Sequence, residues 1–290
     1  MTPHILSFGE VLWDIFGDKK TIGGAPLNFA AHAAKLGADV TFVSAVGDDA
    51  LGKDTLAAVS ALGLSTDAVA VLPGVPTGHC IVTLQNGTPR YALARGVAYD
   101  RIPMPALPEK QVNALCLGTL ASRDEISRAT RDRLLRELHP DEVFFDINIR
   151  GNDWSEADLA AVLPFATLLK FSREEKYAFA SYGDTPEEIC LSLSETYPGL
   201  KQIVVTLDKD GAMSFDPKKK AFLHSPKPKN KPVSTVGAGD SFSACWLYNY
   251  LCGAEPRKCL ARAVTLSDFV VTELGAVPAY PDGLKDAVTE

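Results

Sequence analysis

The sequence predicts an α/β protein whose mostly parallel sheet is covered by helices on both faces. Short runs of β-branched or large apolar residues, bounded by turn residues, alternate along the chain with stretches of helical periodicity. Such alternation is typical of βαβ units, which place helices on both faces of a parallel sheet. The 290 residues are 46% hydrophobic and 22% charged, which is ordinary for a protein that buries a sizeable core.

The individual elements can be assigned in chain order. "HILSFGEVL" is predicted as a strand, and "APLNFAAHAAKLG" as a helix with Gly37 as its stop signal. "DVTFVSAVG" is predicted as the next strand and "LGKDTLAAVSALG" as the next helix. The later apolar runs "ALCLGTL", "EVFFDIN", "TLLKFS" and "QIVVTLD" are predicted as further strands.

Two segments interrupt this alternation and predict hairpins. Residues 77–96, "TGHCIVTLQNGTPRYALARG", place Asn86-Gly87 between two alternating segments, which is a strong hairpin signal. An antiparallel hairpin inserted in an α/β protein often serves as an edge or a lid. Residues 216–232 carry six lysines and predict a second hairpin on the surface.

Composition excludes several classes of function. The formal net charge of −7 argues against a nucleic-acid surface, which needs a basic face. The apolar runs are too short for a membrane span, and the N-terminus lacks the basic leader of a signal peptide. The six cysteines form no C-x-x-C pair, so we expect reduced thiols in a cytoplasmic protein without a zinc site.

The stretch "STVGAGDSF", residues 234–242, predicts an anion site with a base beside it. Gly237, Ala238 and Gly239 lack large side chains, so their backbone N–H groups are accessible at a strand-to-helix turn. The helix is expected to begin near Asp240 or Ser241 and to add its own unpaired N–H groups. A carboxylate at this position can accept a proton from a substrate hydroxyl. The alternative is an N-cap aspartate with no chemistry.

A second constellation lies near the N-terminus. In "TIGGAPLNFA" the pair Gly23-Gly24 precedes a helix and permits close backbone approach to a ligand. Asn28, on the first turns of that helix, offers both a donor and an acceptor, which suits a polyhydroxy compound. The alternative is a polar residue at a helix start.

Together these segments resemble the ribokinase/PfkB family of carbohydrate kinases, and the resemblance covers essentially the whole chain. "GGAPLNFAAHAAKLG…VGDD" is similar to the family's sugar-binding signature, and "STVGAGDSF" to its phosphoryl-transfer signature. The resemblance implies a three-layer α/β/α ribokinase-like fold with a small β lid. It also implies a single kinase domain over residues 1–290, with the lid contributed by residues 11–25 and 72–100.

The resemblance also implies roles for individual residues. Asp240 would be the catalytic base, and the amides of Gly237, Ala238 and Gly239 would form the anion hole. Glu175 would help to hold Mg²⁺. The other implied residues are Asp14, Gly23, Gly24, Asn28, Arg95, Asn148 and Arg150 for the sugar, and Ser172, Thr206, Asp208, Gly211, Gly237 and Gly239 for ATP.

Three positions depart from the family's pattern. Ser234 stands where the late signature commonly has an aspartate associated with a monovalent cation, which argues against activation by potassium. Ser172 stands where the family often has Asn, and Asp208 replaces a glycine in the nucleotide segment "TLDKDGA".

The substrate is left open among related alternatives. "GGAPLNFA" and "DINIR" most resemble fructokinase-type members, so we expect an ATP-dependent fructokinase that phosphorylates a terminal hydroxyl. A 2-keto-3-deoxygluconate kinase is the main alternative, because Arg95 or Arg150 is able to meet its carboxylate. A nucleoside kinase is less favoured, and a sugar-binding regulator without turnover is the alternative from another class.

Two further expectations concern nucleotide binding and assembly. "GDDALGKD" nearly matches a phosphate-binding P-loop, but Asp54 replaces the metal-binding hydroxyl and two aspartates would enter the phosphate cradle, so a P-loop enzyme is rejected. We expect sugar and ATP as the partners, with neither nucleic acid nor membrane. A homodimer is expected through the exposed edge of the lid.

Overall fold

The computed structural model describes residues 2–85 and 88–290, and the strands in these ranges form two sheets. The large sheet has the strand order β13-β12-β11-β10-β9-β8-β1-β4-β5, and the small sheet has the order β3-β2-β6-β7. Their bounds are β1 (His4–Phe8), β2 (Leu12–Phe16), β3 (Lys19–Gly23), β4 (Asp39–Gly47), β5 (Val69–Leu72), β6 (His79–Gln85), β7 (Thr88–Leu93), β8 (Ala114–Leu117), β9 (Glu142–Asp146), β10 (Leu168–Ser172), β11 (Gln202–Thr206), β12 (Ala212–Asp216) and β13 (Ala221–His224).

Helices connect these strands, and the helical segments predicted before residue 64 are confirmed. The helix predicted at "APLNFAAHAAKLG" ends at Gly37, whose left-handed φ of 112° closes it. The helices are α1 (Ala25–Leu36), α2 (Ala50–Ala61), α3 (Glu125–Glu137), α4 (Glu156–Val162), α5 (Pro186–Thr196), α6 (Ala238–Leu251), α7 (Pro256–Val270) and α8 (Leu284–Thr289).

The large sheet is covered on both faces, as the sequence predicts. Neighbouring residues of one strand enter opposite cores: Ile5 packs with α1, α6 and α7, whereas Leu6 packs with the core on the other face. Phe144 and Phe145 divide in the same way. The large sheet is parallel from β5 through β11; β12 runs in the opposite direction, and β13, which pairs antiparallel with β12, runs in the same direction as the parallel strands. The result is a three-layer α/β/α arrangement.

The small sheet consists of two hairpins, β2–β3 and β6–β7, joined by parallel pairing of β2 with β6. Its strands lie inside the ranges 11–25 and 72–100. The indole N–H of Trp13 donates to the hydroxyl of Thr55 on α2 at 2.9 Å, which fastens the small sheet to the body. The predicted turn at Asn86-Gly87 lies outside the described residues, although the strands on either side of it pair as expected.

Three smaller findings complete the fold. The second predicted hairpin is present as β12–β13, but residues 225–232 follow it as a loop. All six cysteines are free thiols, and five of them are buried. Within the described residues, none of the helices has the length and apolar character needed to span a bilayer.

Candidate active site

A cleft of about 1250 Å³ lies between the carboxyl ends of the large sheet and the small sheet. Ligands of open α/β sheets bind at this edge, because the loops after parallel strands converge there. The cleft is lined by every residue that the sequence assigned to the site except Arg95: Asp14, Gly23, Gly24, Asn28, Asn148, Arg150, Ser172, Glu175, Thr206, Asp208, Gly211, Gly237, Ala238, Gly239 and Asp240.

Asp240 faces this cleft from the first turn of α6. The helix begins at Ala238 with Gly237 as its N-cap, two residues earlier than predicted, because the left-handed φ of 80° at Gly237 already turns the chain into it. The amide of Asn28 donates to Oδ2 of Asp240 at 2.8 Å. Burial raises the pKa of Asp240, while this hydrogen bond and the charges of Arg150 and Lys170 oppose the rise.

The backbone amides before Asp240 form part of the predicted anion site. Ala238 N–H already donates to the carbonyl of Thr235, in a long hydrogen bond of 3.3 Å. Within the described residues, the N–H groups of Gly237 and Gly239 have no protein acceptor. They lie at the positive end of α6, where an anion is stabilised. Two of the three predicted amides are therefore free, and the third is partly engaged.

A buried ion pair lies directly beside these amides, and the sequence analysis did not assign it. The ammonium of Lys170 on β10 donates to both carboxylate oxygens of Asp146 on β9, at 2.9 and 3.1 Å. Ser243, one turn along α6 from Asp240, donates to the same carboxylate at 2.7 Å. A Cβ built on Gly239 would lie 3.6 Å from the Lys170 nitrogen, so this positive charge adjoins the anion site.

The ammonium is charged at neutral pH. Burial opposes the charged form, but the charges of Asp146 and Glu175 raise the pKa of Lys170 above its usual value.

The loop after β9 carries Asn148 and Arg150 into the cleft. Asn148 adopts a left-handed φ of 40°, a conformation that asparagine tolerates better than most side chains. Glu175 holds this loop against β10, because its two oxygens accept the amides of Ile149 and Ser172, each at 2.7 Å. The loop is thus fixed by the residue that the sequence assigned to the metal.

The same carboxylate fits a supporting role toward Mg²⁺. Each oxygen keeps a further lone pair, Glu175 lines the cleft, and hard cations prefer such oxygen ligands. No group of three or more acidic, His or Cys side chains in the described residues is arranged to hold a metal alone. Phosphate oxygens and water would therefore supply most of the ligands, which is the usual coordination of Mg²⁺ in kinases.

Thr206, Asp208 and Gly211 line the cleft at the end of β11. Asp208 has a φ of 53°, the left-handed conformation that glycine adopts without strain. Asp208, which replaces the family's glycine, therefore keeps the backbone conformation of that glycine, and the turn is strained as a result. Gly211 is required by packing, since a Cβ there would approach the Ser225 hydroxyl to 2.5 Å.

The opposite side of the cleft carries acidic groups from β2 and the segment before it. A Cβ on Gly23 would lie 3.3 Å from Oδ2 of Asp14, so glycine makes room for that carboxylate. Gly24 has a φ of 114° and packs against the carbonyl of Glu10, which a Cβ would approach to 2.5 Å. The packing of the chain itself therefore requires a glycine at position 24, which also lines the cleft.

Arg95, which the sequence predicts to reach the sugar, lies outside the cleft lining in this structure. Its side chain is 68% exposed and forms an ion pair with Asp153. Asp153 is also held by Arg123, whose side chain is 4% exposed and donates to Asp100 at 2.8 Å. Arg95, which follows β7, therefore pairs with the carboxylate of Asp153 at the rim of the cleft.

Sequence reasoning missed Glu10, Asp146 and Lys170, although the pattern contained a signal for Glu10 and for Lys170. Glu10 lies in "FGEVL", and Lys170 in "LLKFS", both charges inside apolar runs. A buried charge needs a partner, so such positions point to ion pairs or to a site. The hydroxyl of Ser234, which stands where the family commonly has an aspartate, accepts a turn hydrogen bond from Val236 N–H at 3.3 Å.

The fold and the cleft together define the class of protein: an enzyme that moves a phosphoryl group onto a small-molecule hydroxyl. The chain belongs to the PfkB family, because the family model described as pfkB family carbohydrate kinase matches residues 3–282. The prediction of an ATP-dependent carbohydrate kinase is thereby confirmed.

Individual relatives agree with the family. A protein of Arabidopsis thaliana named probable fructokinase-5 is 27% identical over 318 residues, covering 97% of this chain and 95% of the relative. The crystal structure of a Vibrio cholerae O395 fructokinase, bound to fructose, ADP and calcium, superposes with a TM-score of 0.83 at 22% identity, covering 100% and 99% of the two chains. A putative 2-keto-3-deoxygluconate kinase of Enterococcus faecalis gives a TM-score of 0.84 at 17% identity, covering 99% and 96%.

Proposed function

We propose that this chain transfers the γ-phosphoryl group of ATP to a terminal hydroxyl of a neutral sugar, with fructose as the acceptor. The observation that carries the proposal is the Asp240 carboxylate, held by Asn28 at the first turn of α6 beside the free amides of Gly237 and Gly239. A carboxylate placed in this way takes a proton from a hydroxyl while the amides stabilise charge on the phosphoryl oxygens. The fructokinase relatives support the choice of acceptor.

The charge distribution on the acceptor side supports a neutral substrate. Glu10, Asp14 and Asp240 all line the cleft there. The guanidinium charge of Arg150 lowers the pKa of all three carboxyl groups, so this positive charge is already balanced by negative groups of the protein. A 2-keto-3-deoxygluconate kinase needs a cation for the substrate carboxylate, and Arg95 is engaged with Asp153 at the rim. The acidic acceptor is therefore the less favoured alternative.

The small sheet offers little to a nucleoside base. Among the described residues, the side chains that it contributes to the lining are Leu12, Asp14, Thr21, Ile22, Cys80 and Leu93, none of which is aromatic. Base recognition commonly uses stacking on aromatic rings. These aliphatic side chains instead suit the carbon skeleton of a sugar, and Asp14 suits its hydroxyls because a carboxylate accepts two hydrogen bonds.

In the proposed reaction, the acceptor oxygen forms a bond to the γ-phosphorus as the bond to the ADP oxygen breaks. The hydroxyl proton passes to Asp240, while Lys170 and the α6 amides stabilise the charge of the transferring group. Bound Mg²⁺ would neutralise phosphate charge, and Glu175, with Ser172 beside it, would help to hold it. We propose that the small sheet acts as the lid of a single domain and excludes water, which prevents hydrolysis of ATP.

A panel assay tests this function. ADP release is measured with fructose, other hexoses, pentoses, 2-keto-3-deoxygluconate and nucleosides, and the products are identified by mass spectrometry. We expect fructose phosphate as the main product. Turnover of 2-keto-3-deoxygluconate alone would establish the alternative kinase, and binding without ADP release for every compound would establish a regulator.

Substitution of the base provides the residue-level test. Asp240→Asn is expected to lower kcat by about 10³-fold while changing the fructose dissociation constant by less than about threefold, because the proton acceptor is lost and the shape is kept. The matched control is Asp216→Asn at the end of β12, an aspartate outside the cleft lining. Equal loss of activity in both variants would contradict the role of Asp240.

A further inference from the structure

A small recess of about 30 Å³ adjoins the cleft beside Asp240. It lies at the carboxyl ends of β1, β8 and β9, and its polar lining includes Glu10, Thr119, Asp146 and Asp240. Most of the lining surface is apolar, but a recess of this size has room for about two water molecules, and these four side chains supply the hydrogen-bonding partners that ordered water needs. The recess is therefore suited to ordered water in contact with the base.

An unpaired hydroxyl in the recess wall supports this assignment. Within the described residues, two buried side-chain hydroxyls, those of Thr119 and Ser122, have no hydrogen-bond partner. Thr119 is 3% exposed and lines the recess, whereas Ser122 does not. An unsatisfied buried hydroxyl is costly and rare in native proteins. Water in the recess would give Thr119 the partner that the chain does not provide.

Glu10 is the carboxyl group of the recess that the proposed reaction leaves unused. It is 3% exposed and lines both the recess and the cleft. Two charges act on Glu10: the carboxyl group of Asp240 on α6 and the guanidinium of Arg150. Two backbone amides also act on it, that of Ala25 at the start of α1 and that of Glu10 itself. Asp146 shares the recess wall, and the charge of Glu10 raises the pKa of Tyr99.

These surroundings set the proton affinity of Glu10. Burial raises its pKa to about 7, and the opposing effects of the amides and of Arg150 do not cancel the rise. The group therefore exchanges a proton near neutral pH.

We propose that Glu10 receives, through water in the recess, the proton that Asp240 removes from the acceptor hydroxyl. This inference rests on the proposed function of Asp240. The acceptor oxygen bonds to phosphorus, the bond to the ADP oxygen breaks, and the hydroxyl proton moves to Asp240, then through water to Glu10, and reaches solvent when the cleft opens. Because reversal needs a protonated Asp240, transfer of the proton to Glu10 favours the products.

The test measures the burst of enzyme-bound sugar phosphate by rapid quench at pH 8, with the sugar that the wild-type enzyme uses best. In Glu10→Gln, we expect the burst amplitude and kcat to fall about tenfold, with the acceptor KM changed by less than about threefold. Thr119→Val is expected to lower the burst about threefold, because it removes one hydrogen-bonding partner of the water. Ser122→Ala, the matched control at the other unpaired hydroxyl, should keep the wild-type burst.

The pH profile provides a second readout that a purely structural role would not move. Wild-type kcat should fall as the pH is lowered through about 7, because protonated Glu10 cannot accept a proton. Glu10→Gln should lack this decrease. A wild-type burst together with a retained decrease in Glu10→Gln would overturn the proposal.

Two further outcomes are also decisive. If thermal unfolding shows that Glu10→Gln does not fold, equal bursts in Thr119→Val and Ser122→Ala would overturn the proposal. Absence of sugar phosphate with wild-type protein would instead refute the proposed function, and this inference with it.

Discussion

The two ends of strand β9 carry the same set of groups, and only one end forms part of the cleft. At the carboxyl end, Asp146 pairs with Lys170 and accepts a hydrogen bond from Ser243 of α6. At the amino end, Glu142 pairs with the ammonium of Lys201 at 2.9 Å and accepts a hydrogen bond from Tyr250 of the same helix at 3.3 Å. Each end thus has an acid, a lysine and a hydroxyl from α6.

The difference lies in burial and in the direction of α6. The Lys170 side chain is 6% exposed, whereas that of Lys201 is 51% exposed and is screened by water. Because α6 runs antiparallel to β9, its positive N-terminus lies beside the first pair and its C-terminus beside the second. The comparison shows that an ion pair gains a functional role from where the strands and helices end, since only the carboxyl end provides a positive field for phosphate.

The largest expected effect on kcat comes from replacing the lysine of each ion pair in turn. Lys170→Met should lower kcat by about 10²- to 10³-fold, because it removes a buried charge beside the phosphoryl site and leaves Asp146 unpaired. Lys201→Met, the matched control, should change kcat by less than about twofold and stability by at most about 1 kcal/mol. Steady-state kinetics and urea unfolding measure both.

A double variant separates the two causes of the Lys170 effect. If the lysine only neutralised Asp146, Asp146→Asn combined with Lys170→Met would recover activity. We expect the double variant to remain as slow as Lys170→Met, and recovery to within a few-fold of wild type would contradict a role in phosphoryl transfer.

Two buried histidines extend the comparison to stability. His32 lies near the start of α6, because its partner Ala276 packs against Gly237. One ring nitrogen of His32 donates to the carbonyl of Ala276 at 2.8 Å, and the other accepts from the Tyr280 hydroxyl at 2.6 Å, which defines a neutral ring. Burial lowers the pKa of His32 to about 4. His4, at the amino end of β1, is also buried, with ring contacts to Thr41 and Gln111, and burial lowers its pKa as well.

Stability should therefore fall on acidification. The unfolded chain protonates this histidine near its usual pKa of 6.5, whereas the folded protein holds it neutral down to about 4, so the contribution is present above pH 6.5 and is lost as the pH falls. His32 alone should account for a loss of about 3 kcal/mol by pH 4. Urea unfolding of wild type, His32→Gln and His4→Gln at pH 7 and pH 4 measures it. An unchanged pH dependence in His32→Gln would contradict the assignment.

The fold was largely predictable because its elements are locally encoded. Strands β4, β8, β9, β10 and β11 coincide with apolar runs in the sequence, and α1 is bounded by Gly24 and Gly37. The start of α6 was predicted two residues late, because the left-handed conformation of Gly237 turns the chain into the helix before Asp240, and Gly237 packs so closely against Ala276, distant in sequence, that a Cβ would not fit. Periodicity carries no information about such a contact.

The site was predicted where a motif contains the residue and missed where tertiary packing places it. Asp240 and Asn28 lie in the two signatures, but the hydrogen bond between them joins residues 212 positions apart. Arg95 was assigned to the sugar because it follows the lid hairpin. Its ion-pair partner, Asp153, lies on another loop, and the sequence does not show that the two residues meet. Lys170 was missed because its partner is a register neighbour on β9.

The glycines at the two ends of α6 provide a third test. Gly237 and Gly253 have nearly equal left-handed φ values of 80° and 77°. A Cβ at Gly237 would lie 2.5 Å from the Ala276 carbonyl oxygen, whereas at Gly253 it would meet open space. Gly253→Ala should cost about 1 kcal/mol from backbone strain alone. Gly237→Ala should cost about 2 kcal/mol and lower kcat at least about tenfold, because the shifted backbone displaces the anion-site amides. Equal kinetics in the two variants would show that the amides play no part.

The smallest effect is expected at the rim of the cleft. Arg95→Ala removes an exposed partner of Asp153, which Arg123 continues to hold at 3.1 Å. Because exposed ion pairs contribute little, kcat/KM for the sugar should change by less than about twofold. Arg150→Ala is the matched comparison inside the cleft and should raise the sugar KM by at least about tenfold, since three carboxyl groups lose their shared counter-charge. An equally large rise in KM for Arg95→Ala would restore the role that the sequence suggested, because it would mean that the arginine leaves Asp153 and reaches the acceptor when the small sheet closes.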